Sequence, residues 1–281
     1  MRNHFIPQAY LRSWTEDGDY VVAYPTARGA AFIKPNTKNI GQETGLYPDD
    51  LEGALNRQIE MPMGPIIHRI NAGGSLQEDD KQIVANYFRS LIDRSPMARE
   101  LVTSRVPEAA AEIHQELDAA LEKQLVAGAD VMSIERRRTE IAEACKKAGR
   151  TSSDAIWHMA LKPGRESATT NMIASMNMAV FSAPPTKHFF TSDRPAMRPL
   201  RGIYGGRDAF LLPLGPQKVL AISMTSLQNF TMTNQDVSMI NMRLSAEADR
   251  WVITSRAESW IRGFIDKHRN HADRPSIKAV S

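Results

Sequence analysis

The chain has 281 residues, of which 42% are hydrophobic and 24% charged, so it can bury a sizeable core and is not a disordered polymer. Its single cysteine, Cys145, excludes an internal disulfide and a cysteine-based zinc site, and no apolar run approaches the ~20 residues that span a bilayer. The formal net charge is +3, and the N-terminus lacks the apolar stretch of a signal peptide. We therefore expect a protein of the reducing cytoplasm with no membrane partner.

The first 47 residues predict a small segment of mixed helix and strand. Pro7 suits the first position of a short helix, and Tyr10, Leu11 and Trp14 then share one helical face. Two β-rich stretches, DYVVAYP and GAAFIK, follow on either side of TARG, and this arrangement predicts a β-hairpin.

From Leu51 the spacing of apolar residues changes to that of a helix. The residues on this apolar face are Leu51, Leu55, Ile59, Met63, Ile66 and Ile70. Pro62 and Pro65 interrupt the pattern, and because each lacks an amide donor we expect a kink there. Ser75 and Glu78 form a capping-box pattern before a second helix, whose broad apolar stripe predicts a place in the core.

Residues 107–148 are almost continuously helix-forming and predict two helices broken near Gly128. Their charges nearly cancel, which suits an exposed arm or an antiparallel helical hairpin. A dimerising coiled coil would need heptads that this segment does not sustain. We expect these helices to provide the contact with a second copy of the chain or with another protein, should either bind.

The C-terminal half contains short β-like runs separated by glycine and proline turns, followed by a helix, a strand and a last helix. The runs are MAVFSA, HFFTS, AFLLPLG and KVLAIS. The order indicates an α+β fold, mainly helical, with an N-terminal β-hairpin and a C-terminal antiparallel sheet. We predict one domain over residues 1–270 with a helical arm at about 107–148, and a flexible tail at 271–281.

Four polar residues stand where the chain is expected to change direction. His4 precedes the first helix, Glu43 lies in a polar loop, Glu60 lies beside the expected kink, and Asp193 ends a β-like run. One histidine with two or three carboxylates supplies either a general acid/base set or a hard-metal site for Mg²⁺ or Mn²⁺. Each residue also has a structural alternative, since Glu60 can cap freed backbone donors and Asp193 can form an Asx turn.

The densest charge bias in the chain lies between residues 187 and 207. The basic residues there are Lys187, Arg194, Arg198, Arg201 and Arg207, against Asp193 alone. Clustered arginines attract phosphates or carboxylates through bidentate hydrogen bonds. Alternatively, these residues form a solvated basic loop that binds no particular ligand.

Several short motifs, in order along residues 4–255, resemble a bacterial family, the domain-of-unknown-function family 4238. The motifs are HFIPQAYLRSW, KNIGQETGLY, the pair Ile59–Glu60, Arg94 in LIDRSP, the Thr-Ser-Asp-x-Pro sequence at 191–195, LLPLGP, and a late helix with Asn241. The chain departs from the family at Arg194, where Asn is frequent. The resemblance implies no established activity.

The resemblance does imply that His4, Glu43, Glu60 and Asp193 belong to the pattern of the family. Polar motif residues scattered along a chain are more readily explained by convergence on one cavity than by separate surface positions, so we predict that these four side chains meet. A buried structural network would use the same kinds of residue, because satisfied polar clusters also specify a fold.

Two hypotheses of different classes follow. The first is a hydrolase, most plausibly a nuclease in bacterial defence or toxin chemistry, with His4, Glu43, Glu60 and Asp193 as catalytic groups. The second is a non-catalytic module that binds nucleic acid or an acidic ligand. The residues predicted to contact substrate are Gln8, Asn39, Arg94, Ser192, Arg194 and Arg198.

Overall fold

The computed structural model describes residues 2–16, 18–151, 153–164, 167–204 and 207–269. The backbone divides into two compact units. One is the continuous segment Pro96–Lys162, and the other combines the residues up to Ser95 with those from Pro163 onward. All the predicted site residues belong to the discontinuous unit. The tail predicted at 271–281 lies outside the described residues.

Two short strands from the N-terminal segment pair with each other. The elements of this segment are β1 (Arg2–His4), α1 (Gln8–Arg12), β2 (Val22–Pro25), a 3-10 turn (Thr37–Asn39) and β3 (Gln42–Thr44). β1 and β3 run antiparallel, with Asn3 opposite Glu43 and His4 opposite Gln42. Because successive side chains of a strand alternate between faces, His4 and Glu43 project from opposite faces of this pair.

A series of helices follows, and their apolar faces are buried as the spacing predicts. The elements are α2 (Asp49–Leu55), a π-helical turn (Asn56–Glu60), α3 (Met61–Asn71), a 3-10 turn (Glu78–Asp80) and α4 (Lys81–Asp93). The capping box predicted at Ser75 and Glu78 is wrong, because the structure forms it from Gln77 and Asp80. Asp80 is also held by Arg69 of α3, a tertiary contact that favours the later pair.

Two sheets lie in the C-terminal half. Their strands are β4 (Asn177–Ser182), β5 (Thr191–Ser192), β6 (Met197–Tyr204), β7 (Arg207–Gly215), β8 (Lys218–Ser223), β9 (Phe230–Thr231) and β10 (Trp251–Thr254). The five-stranded sheet has the order β6-β7-β8-β4-β9 and is antiparallel except for the parallel pair of β4 and β9. The HFFTS run does not join it, because β5 pairs with β10, which also pairs with β2.

The helices of the C-terminal half complete an α+β fold, as predicted. They are α8 (Ala168–Ser175), α9 (Asn234–Glu247) and α10 (Ser259–Arg269). α9 begins with a capping box formed by Thr233 and Asp236, which satisfies backbone donors at its first turn. The hairpin predicted from DYVVAYP and GAAFIK is reduced to isolated bridges, including Ala23 with Ile33, and the regular partner of β2 is instead β10.

The continuous unit consists of helices. They are α5 (Pro96–Val126), α6 (Val131–Thr151) and α7 (Ser153–Leu161). The predicted break near Gly128 is confirmed, and the positive φ of +92° at that glycine explains why the turn lies there. Leu121, Ile134 and Trp157 are buried within the unit. Arg138 of α6 forms ion pairs with Asp118 and Glu122 of α5, as well as with its own helix.

Tyr10 of α1 links the N-terminal segment to both C-terminal sheets. Its hydroxyl donates to the carbonyl of Pro213 at 2.6 Å and lies 2.7 Å from the hydroxyl of Thr191, and the side chain is fully buried.

We expect Tyr10→Phe to lower the free energy of unfolding by about 1–2 kcal/mol in urea denaturation, because both partners lose a buried hydrogen bond. The matched change Tyr20→Phe, at a side chain 60% exposed, should have a far smaller effect. Equal effects would contradict this role.

Candidate active site

The backbone of His4 is held by side chains from three separate parts of the chain. Its amide donates to Glu52 Oε1 of α2 at 3.3 Å. Its carbonyl accepts from the Tyr47 hydroxyl at 2.6 Å and from Nη2 of Arg94, which directly follows α4. The last residue of β1 is therefore fixed in position by groups distant in sequence.

The imidazole of His4 has two distinct surroundings. Nδ1 lies 3.9 Å from Glu52 Oε1, and both side chains are 20% exposed. Nε2 is buried and has no hydrogen-bond partner among the described residues. A carboxylate beside one ring nitrogen, with the other nitrogen unused, is the arrangement of an oriented general acid or base.

Arg94 forms the buried centre of this group. Its side chain is fully buried, and Nη1 donates to Glu60 Oε1 at 2.7 Å, while Glu60 is only 11% exposed. Burial alone would lower the pKa of Arg94, but the oxygens of Tyr47 and Glu60 raise it, and the net shift is upward. The guanidinium is therefore a permanent charge that binds Glu60, Tyr47 and the His4 carbonyl together.

Glu60 is positioned by an irregular helical turn that the prolines explain. Pro62 and Pro65 supply no amide hydrogen, so the carbonyls one turn before them lack their regular helical partners. The disturbance that the sequence predicts takes the form of the π-helical turn, which ends at Glu60 immediately before α3. Such turns re-aim side chains and are frequent at functional sites.

Several buried polar atoms of β1, α2, α4 and Arg94 have no hydrogen-bond partner in the described chain. They are Asn3 Nδ2, His4 Nε2, Glu52 Oε2, the Tyr87 hydroxyl, Ser90 Oγ and Arg94 Nε. Burial, followed by the charge of Glu60, raises the pKa of Tyr87 well above its usual value, which keeps it a neutral donor. Since buried polar groups are normally paired, this concentration distinguishes the region as a candidate site.

Asp193 lies elsewhere in the same unit and is occupied by the backbone. It is 3% exposed, and its carboxylate accepts from the amides of Asp249 at 2.9 Å, Arg250 at 2.5 Å and Trp251 at 3.2 Å. Burial raises its pKa to about 6 in spite of these bonds. The neighbouring Ser192 hydroxyl accepts from the amide of Arg194 at 3.1 Å. These contacts join β5 to the start of β10.

Glu43 is connected through Arg250 with Asp193 rather than with His4. Its carboxylate binds Nη2 of Arg250 at 3.0 Å, and the amide of the same Arg250 donates to Asp193. The contacts therefore form two groups, one of His4, Glu52, Glu60 and Arg94, and one of Glu43, Arg250 and Asp193. The convergence of all four predicted side chains on one cavity stays a prediction.

The other predicted contact residues are distributed over the same unit. Gln8 donates to the Thr37 hydroxyl at 3.3 Å, and Asn39 is exposed in the adjacent 3-10 turn. Arg194 donates to the carbonyl of Glu247 at 3.4 Å and is 24% exposed. The side chain of Arg198 lies outside the described part of the structure.

Sequence reasoning did not identify Glu52, a member of the His4 group, or Tyr87, whose buried hydroxyl lies near Glu60 and Arg94. A signal for Glu52 existed, since it precedes Glu60 by eight positions, which is about two helical turns, in a segment with a clear helical period. Tyr87 stood in the apolar stripe of α4 and was indistinguishable from an ordinary core residue. What distinguishes Tyr87 is the set of residues that surround its hydroxyl in the folded protein.

The described residues contain no group of three or more His, Cys, Asp or Glu side chains arranged to hold a metal ion. Nor does any helix in that part of the chain have the length and apolar character needed to cross a bilayer.

The fold and the buried polar group define an α+β protein in which a histidine and two glutamates surround a permanent internal cation. The family model described as "Protein of unknown function (DUF4238)" matches residues 2–258, and the chain belongs to this family. No curated protein matches the chain. No solved structure matches it either.

Proposed function

We propose that the protein is a hydrolase in which His4 transfers protons, and that its substrate is nucleic acid. The observation that supports this proposal is the environment of the His4 ring, in which Nδ1 faces Glu52 and Nε2 is buried without a partner among the described residues. Glu52 acts as a positioning residue, because its carboxylate accepts from the amide of His4 and lies 3.9 Å from Nδ1 of the ring.

In the proposed reaction, substrate binding exposes Nε2 of His4, which is buried in the unliganded protein. Nε2 then accepts a proton from an attacking water as the oxygen of that water forms a bond to phosphorus. The bond from phosphorus to the leaving oxygen then breaks, and His4 returns the proton to that oxygen. The Tyr47 phenol and the Arg94 guanidinium donate to the carbonyl of His4 and so fix its main chain, and the guanidinium places a permanent positive charge beside it. Fixed dipoles and charges of this kind stabilise a developing anion without reorganising.

Nucleic acid is favoured as the substrate by the basic bias of residues 187–207. Arg194 and Arg198 are the residues of that segment that we propose to contact phosphate. Mg²⁺ or Mn²⁺ would take part in this reaction only where the substrate or a rearrangement of the protein supplies the further metal ligands. The assay therefore includes arms with EDTA, with Mg²⁺ and with Mn²⁺.

The test is cleavage of labelled RNA and DNA by the full chain. We expect His4→Gln to lower the rate by about a hundredfold or more, since general acid–base catalysis contributes at least that much. Glu52→Gln should lower the rate less and shift the pH–rate profile, because it acts through His4. His68→Gln, at an exposed position on α3, is the matched control and should retain the full rate.

Thermal melting of each variant accompanies the assay, so that loss of structure is separated from loss of chemistry. A His4→Gln variant that folds and cleaves like the parent protein would contradict the proposed role of His4. A parent protein that leaves both nucleic acids intact in all three arms would contradict the hydrolase proposal itself.

A second candidate function is a non-catalytic module that binds nucleic acid or an acidic ligand. It is favoured by the way protein groups already engage both terminal nitrogens of Arg94 and the carboxylate of Asp193. In this case the continuous unit would provide a protein contact, and its helix α5 exposes Ile113 and Leu117, one turn apart. Salt-dependent binding without cleavage distinguishes this candidate from the first.

A further inference from the structure

Trp260, at the start of α10, presents a rigid indole at the protein surface. Its side chain is 38% exposed. Phe190 stacks against the ring at 5.7 Å and 27°, and Phe264 meets it edge-on at 5.7 Å. The indole Nε1 donates to Glu258 Oε2, so both the plane and the edge of the ring are held.

Two cations flank this indole. Lys187 Nζ lies 5.1 Å from the centre of the ring, above its face. Arg256 Nε donates at 2.6 Å to Glu258, the carboxylate that also holds the indole edge, and Arg256 is 54% exposed. Arg256 forms an ion pair with Glu258, so the carboxylate beside the ring is balanced, and Lys187 adds a further positive charge.

A buried histidine lies behind the same surface. The His188 ring is centred 6.2 Å from that of Trp260, and the residue is 4% exposed. Its Nδ1 lies 3.8 Å from Glu258, while Nε2 is buried and has no partner in the described part of the chain. The cluster thus has an unused polar atom as well as an exposed aromatic face.

We propose that Trp260, with Lys187 and Arg256, is a stacking site for one base of single-stranded nucleic acid. The inference rests on the proposed function, which makes nucleic acid the substrate. It adds that the substrate is single-stranded and names the residues that bind it. A rigid aromatic ring receives a base by stacking, whatever the base is, and flanking cations receive the adjoining phosphates.

The geometry favours single strands over duplexes. Only an unpaired base exposes a face that can lie flat on an indole, because the bases of a duplex are stacked on each other. Lys187 covers the ring in the unliganded protein, but an exposed cation–π contact is weaker than base stacking. A base can therefore displace the ammonium, which stays close enough to bind a phosphate.

The test measures the affinity of the full chain carrying His4→Gln for a fluorescently labelled twelve-residue thymidine oligonucleotide, by anisotropy. If His4 is needed for cleavage, this variant leaves the oligonucleotide intact during the binding measurement. We expect Trp260→Ala to raise the Kd about tenfold, and Trp260→Phe to raise it less, because phenylalanine retains a stacking face. Lys187→Ala should lower the slope of log affinity against log salt by about 0.7.

Tyr20→Ala removes another exposed aromatic ring, one that is 60% exposed, and should leave the Kd unchanged. A duplex of the same length should bind at least several-fold more weakly. Quenching of tryptophan fluorescence by the unlabelled oligonucleotide should disappear in Trp260→Phe. This measurement keeps the test valid if Trp260→Ala fails to fold.

Equal Kd values for the parent and both Trp260 variants, or equal binding of duplex and single strand, would overturn the stacking site. The outcomes also separate the two proposals. Binding that depends on Trp260 in a protein that cleaves nothing refutes the hydrolase and supports the stacking site. Cleavage by the wild-type protein together with binding indifferent to Trp260 supports the hydrolase and refutes the stacking site.

Discussion

Arg94→Ala is expected to lower the free energy of unfolding by about 3–5 kcal/mol. The guanidinium is fully buried, and its removal leaves the Glu60 carboxylate, 11% exposed, without its opposing charge. The His4 carbonyl would also lose one of its two side-chain donors. Breaking one member of a buried ion pair is costly because the remaining charge stays in a poorly solvated site. Urea denaturation of the purified chain measures the change.

The matched control is Arg12→Ala, which removes an arginine from a surface pair. Arg12 and Asp19 are 55% and 42% exposed, and pairs of this kind contribute ~0–1 kcal/mol. Arg94→Lys should give a loss below that of alanine, because an ammonium retains the charge but cannot reach Glu60 and the His4 carbonyl with separate nitrogens. An Arg94→Ala variant as stable as Arg12→Ala would show that the buried group contributes little to the free energy of unfolding.

Asp193→Ala is expected to lower the free energy of unfolding by about 3 kcal/mol at neutral pH. Three consecutive backbone amides, from Asp249 to Trp251, donate to this one carboxylate and would lose their acceptor. Hydrogen bonds to a charged group contribute about 1.5–3 kcal/mol each, and water that enters the space left by the carboxylate offsets part of the loss. Asp79→Ala, at an exposed position, is the matched control and should change stability little. A loss no larger than that of the control would contradict the assigned role.

Asp193 should also give the protein a recognisable dependence of stability on pH. Burial raises its pKa to about 6 in the folded state, above the value of 3.8 expected when unfolded. Between these values the folded state holds a proton that the unfolded state has released, so this residue makes stability fall as pH rises from about 4 to 6. The slope approaches about 1.4 kcal/mol per pH unit.

Asp193→Asn is the variant for this test, because the amide cannot titrate. Unfolding curves at several pH values should show that the stability of the parent, relative to Asp193→Asn, declines across that window. A difference between the two proteins that is constant from pH 4 to 7 would contradict the raised pKa of Asp193. The comparison removes the contribution of other titrating groups, which both proteins share.

The two stability predictions bear on the choice between catalytic and structural roles. Arg94 and Asp193 belong to the family-like motifs, yet each is surrounded by contacts that hold distant segments together. His4 differs from both, because its ring makes no hydrogen bond through Nε2 to any residue that the structure describes and can act as a base there. Loss of activity without loss of stability is therefore expected at His4, whereas loss of stability is the main effect expected at Arg94 and Asp193.

Local patterns accounted for much of the secondary structure. The helical period from Leu51, the break at Gly128 and the strand KVLAIS all follow from short-range spacing and turn chemistry, which the sequence displays directly. The predicted N-terminal hairpin was less accurate, because β2 found its regular partner in β10, far along the chain. Strand pairing of this kind depends on packing, which no local window contains.

By itself the sequence determined the α+β class, the approximate course of the helices and strands, and the polar residues worth examining. Only the tertiary structure decided their partners. Glu52 lies 48 positions from His4, and Arg94 lies 90 positions from it. Hydrogen bonds and ion pairs act over a few ångströms in space whatever the separation along the chain, so the surroundings of each side chain exist only once the chain has folded.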